Sequence, residues 1–185
     1  KDIEDLRRRI EEIIEEAKRL DKTSLELIRR IIKRIKDENK KMLDEAEKII
    51  RDALKTIDDV GGRDEEELRR LLRKAEEDVR DVDRRNEKLM RDVDKEVAEV
   101  LERNKRLLDE IRKRVERVIE DIERRRGPGV EDVTRRIEEL LEEVRKSSED
   151  SIRDIRRLLK EVRDSFKRSS DELKRLLDEV RKRAE

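Results

Sequence analysis

Apolar residues return along the chain as doublets eighteen positions apart. Leu140-Leu141-Glu142-Glu143-Val144-Arg145-Lys146 comes back as Leu158-Leu159-Lys160-Glu161-Val162-Arg163-Asp164, and again as Leu176-Leu177-Asp178-Glu179-Val180-Arg181-Lys182. The same spacing links Ile13-Ile14, Ile31-Ile32 and Ile49-Ile50, and links Leu71-Leu72, Leu89-Met90 and Leu107-Leu108. Eighteen residues make five turns at about 3.6 residues per turn, so equivalent side chains fall on one line of a straight helix. A left-handed coiled coil keeps a period of seven instead. One inward series reads Val79, Val82, Asn86, Leu89, Val93, Val97, Val100, Asn104, Leu107, Ile111, Val115. Its steps of three and four include two fours in a row per repeat, which a strict heptad does not allow. The pattern predicts helices that barely supercoil.

Two sites break the pattern. Gly61-Gly62-Arg63-Asp64 offers glycines for a left-handed helix end and an aspartate to cap the next helix. Glu67 stands at the capping-box position after Asp64. Gly127-Pro128-Gly129 ends the second helix and leads through Val130-Glu131-Asp132 into the third. Helices are thus predicted over 1–60, 64–126 and 131–185, each roughly 80–95 Å long. Short loops make successive helices antiparallel neighbours. The predicted fold is all-α: one elongated, nearly straight antiparallel three-helix bundle, a single domain over 1–185. Thr23 and Glu26 also match a capping box near Asp21. With no Gly or Pro beside them, the first helix is expected to continue through.

Some inward positions are polar. Asn86 and Asn104 share the phase of Leu68 and Ile122; Ser151 and Ser169 share that of Val133; Asp21 and Asn39 share that of Ile3 and Ile57. In antiparallel register these stack into layers. Ile3–Ile122–Val133 comes first, then Asp21–Asn104–Ser151, Asn39–Asn86–Ser169, and finally Ile57–Leu68. Buried amides and hydroxyls are costly unless paired, so the expectation is two hydrogen-bond networks, each spanning all three helices. Ser147 and Ser165 precede Ser151 and Ser169 by four residues and could extend them, as Ser24 could beside Asp21. The alternative, a site for a polar ligand or ion, is the weaker reading. One carboxylate among amides and hydroxyls is a poor metal set.

Composition narrows the function classes. Of 185 residues, 54 are Lys or Arg and 54 are Asp or Glu, so the net charge is zero and charged residues make up 58%. The signs are interleaved and the residue types favour helix, which reads as solvated helix faces rather than disorder. There is no Cys or His, which closes disulfides, thiolate metal sites and imidazole chemistry. Carboxylate pairs such as Glu15-Glu16 and Glu142-Glu143 lie among Lys and Arg and read as salt-bridge partners. Met42 and Met90 occupy inward phases and read as filler. Arg124-Arg125-Arg126 is the basic cluster, but no aromatic accompanies it; it suits a helix C-terminus better than nucleic acid. No phosphate-loop, dinucleotide or nucleophile-elbow motif occurs, and no apolar run reaches the roughly 18 residues of a membrane span.

The eighteen-residue repeat, truncated alphabet, short loops and mirrored layers resemble computationally designed, parametrically built helical bundles with buried hydrogen-bond networks. The resemblance covers the whole chain. It implies a structural scaffold whose core layers specify register and helix number, with no enzymatic activity and no cofactor, nucleic acid, membrane or required partner. A monomer is expected, with a homo-oligomer or a partner-helix-binding rod as the alternative. With no targeting signal, a soluble chain, cytoplasmic on recombinant expression, is expected. The chain opens at Lys1, as one trimmed of its start or tag would. Spectrin-type rods are the natural runner-up, although their repeats are shorter and typically carry a core Trp that this chain lacks.

Overall fold

The computed structural model describes residues 3–60, 64–125 and 127–184. It contains three helices: α1 (Ile3–Val60), α2 (Glu65–Arg124) and α3 (Val130–Ala184). α1 runs without interruption through Asp21–Ser24. Each helix opens on acidic residues, Glu4 and Asp5 in α1, Glu65 to Glu67 in α2, Glu131 and Asp132 in α3. These suit the positive end of the helix dipole.

Residues 61–63, with the double glycine, and Arg126 lie outside the described residues. Asp64 caps α2: the Glu67 amide donates to its Oδ1 at 3.2 Å, and the Leu68 amide to its carbonyl at 3.1 Å. The Glu67 carboxylate instead accepts from Arg70 Nη2 at 2.6 Å, which satisfies the charge within the first turn. At the other connection the Arg125 amide closes a tight turn onto the Ile122 carbonyl at 3.1 Å. α3 then begins at Val130, one residue earlier than the pattern indicates. The Gly129 carbonyl takes the first helical bond, from Val133 at 3.0 Å. Gly129 does so with φ of 87°, a conformation L side chains rarely adopt.

The chain divides into two compact units. The first unit comprises Lys1–Arg30 and Glu96–Arg157; the second comprises Ile31–Lys95 and Leu158–Glu185. In the first, Ile10 and Ile14 of α1 pack with Ile111, Val115 and Ile122 of α2 and with Ile137 of α3. Ile3 and Val133 join Ile122 in this cluster. In the second, Ile50 and Ile57 pack with Leu68, Val79 and Val82 and with Leu173 and Val180. Each such side chain contributes about 1.5–3 kcal/mol when fully buried. Polar contacts show the directions in which the helices run. In the first unit Glu16 pairs with Arg114 while Asp21 pairs with Asn104, so α1 and α2 are antiparallel. In the second, Glu76–Arg181, Asp83–Ser170 and Asp94–Arg163 make α2 and α3 antiparallel.

The two glycines of the second connection behave differently on substitution. A Cβ on Gly127 would stand 3.6 Å from Ile3 Cδ1, an ordinary contact, whereas Gly129 has open space but a left-handed backbone. Gly129→Ala is therefore expected to cost about 1 kcal/mol or more through backbone strain alone. Gly127→Ala should be close to neutral. Chemical denaturation of the two variants measures the difference.

Candidate functional site

The polar side chains at inward positions are the strongest candidate site, and each unit contains one layer of them. In the first unit Asp21 is 5% exposed. Asn104 Nδ2 donates to its Oδ1 at 2.8 Å, and the Ser24 hydroxyl donates to Asn104 Oδ1 at 3.1 Å. The acceptor-only carboxylate fixes which way the amide turns, and the amide oxygen then faces the hydroxyl. The network spans two helices rather than three. Ser151 of α3 is half-buried and forms no hydrogen bond with it among the described residues. Ser147 is exposed, so it does not extend the layer.

Asp21 Oδ2 is buried without a hydrogen-bond partner. Burial raises the Asp21 carboxyl above its ordinary value, and the Asn104 bond opposes the rise without cancelling it.

The second unit departs further from expectation. Asn39 and Asn86 are 5% and 6% exposed, yet Asn39 Oδ1 and both polar atoms of Asn86 have no partner. The Ser169 hydroxyl bonds back to the Ser165 carbonyl of its own helix at 3.0 Å, so Ser165 takes part through its backbone. The position equivalent to Ser24 is here Met42, which donates nothing. With one hydroxyl spent locally and the other absent, the Asn39 oxygen and the whole Asn86 amide are left without hydrogen-bond partners.

One polar contact was not foreseen. Ser170 Oγ donates to Asp83 Oδ1 at 2.8 Å between α3 and α2. The signal lay in the repeat: Asp83 shares its phase with Leu101 and Ile119, and Ser170 shares its phase with Ile152 and Thr134. Each row thus sets a polar residue in phase with an apolar one that stands at the same level of the other unit.

Neither a protein-family model nor a curated protein sequence matches the chain. Among solved structures, the backbone is similar to one described as "Computationally designed three helix bundle", with a TM-score of 0.53. Identity is 20%, over 98% of this chain and 85% of that one. The fold is a three-helix bundle.

Outside its polar layers the bundle carries ordinary surface charge. Glu15 and Glu143 both meet Lys18, Glu16 meets Arg114, and Glu142 meets Arg145, whose other neighbour is Glu149 at 2.6 Å. The Arg145 contact holds the Glu142 carboxyl below its usual range. Arg124 is tied to Glu120 and Asp121 at the end of α2. Among the described residues no acidic cluster is arranged to hold a metal ion, and no helix is long and apolar enough to cross a membrane.

The raised Asp21 pKa has a definite sign. The folded bundle binds that proton more tightly than the unfolded chain, so the ionised group opposes folding at neutral pH. The opposition fades as pH falls through the folded-state pKa and is gone below the ordinary carboxylate value. Asp21→Asn is thus expected to be as stable as the parent or more so at pH 7, by up to about 1–3 kcal/mol. Its advantage should shrink towards pH 4. Guanidinium denaturation at both pH values tests this, and an advantage that grows on acidification would contradict it.

Proposed function

We propose that the chain is a computationally designed structural scaffold with no catalytic role, whose polar core layers limit register and helix number. The observation that carries this reading is the eighteen-residue repeat shared by three helices, with polar residues placed at matching levels. The likeness to a designed three-helix bundle supports it. Asn39 and Asn86 support it in a different way. Buried amides without partners cost stability, so their value lies in what they disfavour. A shifted register would set Asn86 against an isoleucine or leucine row and bury it no better, while moving Asp21 away from Asn104 and leaving the carboxylate with no donor. The scaffold works as a monomer without cofactor, nucleic acid or membrane.

Two variants and a mass measurement test the reading. Asn86→Leu alone should raise stability by about 1–3 kcal/mol, because neither amide atom gives up a bond. Asn39→Leu, Asn86→Leu and Ser169→Val together should raise it further, provided the larger side chains pack. If the layer specifies register, the triple variant gains stability but loses uniqueness, seen as broadened or doubled amide resonances or as masses above 22.5 kDa. A triple variant with one set of sharp resonances and an unchanged mass would leave the layer without a specifying role.

A further inference from the structure

The repeat allows the two units to be compared position by position. Because α2 and α3 are antiparallel, adding eighteen in α2 corresponds to subtracting eighteen in α3. Each unit has a groove between these helices, and the two grooves are equivalent under this shift. In the second unit the groove encloses about 490 Å³ and is lined by Asn86, Met90 and Phe166. In the first it encloses about 720 Å³ and is lined by the equivalent residues Asn104, Leu108 and Ser148.

Two substitutions within the repeat open the first groove. Phe166, 6% exposed, becomes Ser148. On α1 the buried Ile35 becomes the buried Ala17, which lies at the back of the groove. A third change alters its chemistry. The hydrogen-bonded Asp83–Ser170 pair of the second unit is replaced by Leu101 and Ile152, both lining the larger groove. Its half-buried amide offers little to a guest, since Asn104 is already engaged by Asp21 and Ser24. Charges of both signs stand at the rim, and Arg145 among them is held by Glu142 and Glu149.

The geometry points to a binding site for a neutral aromatic molecule, its ring seated over Ser148 where the second unit carries the Phe166 side chain. The volume falls within the roughly 300–1,000 Å³ of small-molecule sites. The apolar walls are recessed: Leu101, Leu108 and Ile152 are each only partly exposed. A flat protein partner would not reach them, whereas a one- or two-ring molecule would.

N-phenyl-1-naphthylamine, a neutral fluorescent aromatic, is a suitable probe because the chain has no Trp or Tyr to interfere. The parent should bind it saturably at one molecule per chain, with shifts at the Ser148 and Ile152 amide resonances and none around Phe166. Ser148→Phe should weaken binding at least tenfold and raise the denaturation midpoint. Leu101→Asp with Ile152→Ser copies the polar pair of the second unit and should also weaken binding at least tenfold. It decides the matter if Ser148→Phe loses helicity. Ser170→Ala, in the other groove, should leave binding unchanged. Absence of saturable binding by the parent, shifts centred on Phe166, or Ser148→Phe binding within twofold of the parent would each overturn the proposal. So would a parent mass of two chains that Ser148→Phe halves, which would assign the groove to a second copy.

Discussion

The structure depends on a coincidence of integers: eighteen residues fill five helical turns. That identity keeps every inward row in phase along a helix, and the cores of both units are its product. Ile14 and Ile32, or Val79, Val97 and Val115, are buried because each repeats the phase of the others. A heptad-spaced sequence would need supercoiling to do the same. Here the backbone twist demands no correction, and side-chain choice within a row becomes the main variable. The polar layers and the unequal grooves are both variations of that kind.

Helix placement was legible from apolar periodicity and loop chemistry alone. Expected limits of 1–60, 64–126 and 131–185 compare with Ile3–Val60, Glu65–Arg124 and Val130–Ala184. Gly129 can take the left-handed backbone that the turn needs, Pro128 cannot continue a helix, and Asp64 can cap one, so local sequence suffices there. The inward phases of Asp21, Asn39 and Asn86 were equally readable, because burial follows phase. Hydrogen bonding does not follow phase. It depends on rotamers and on distances of a few tenths of an ångström, and a residue's own helix competes for its hydroxyl. Ser169 turned to its own backbone, and Ser147 points outward although it stands only four residues before Ser151. The Asp83–Ser170 contact was encoded in the repeat but masked by the abundance of aspartate.

The two polar layers illustrate how donor inventory decides a buried site. Asp21 with Asn104 and Ser24 supplies one acceptor-only group, one amide and one hydroxyl, which admits a single arrangement. Asn39 with Asn86 supplies two amides, each able to face either way, and no third group to select between them. One unit thus holds an ordered chain of bonds with a single carboxylate oxygen left over, and the other holds three amide atoms without partners. Leu, Ile and Val carry the stability around both.

Most of the ion pairs on the surface join residues three or four apart on the same helix, as Arg7 with Glu11 and Arg153 with Asp150 do. Each helix therefore balances much of its own charge before it meets a neighbour, and exposed pairs of this type contribute little to stability. Information about which helix lies beside which is consequently written in the interior rows, leaving the exterior an almost free alphabet. Whole faces could be recoded to a strongly acidic or strongly basic chain, moving its isoelectric point by several units, while the instructions for assembly stayed where they are.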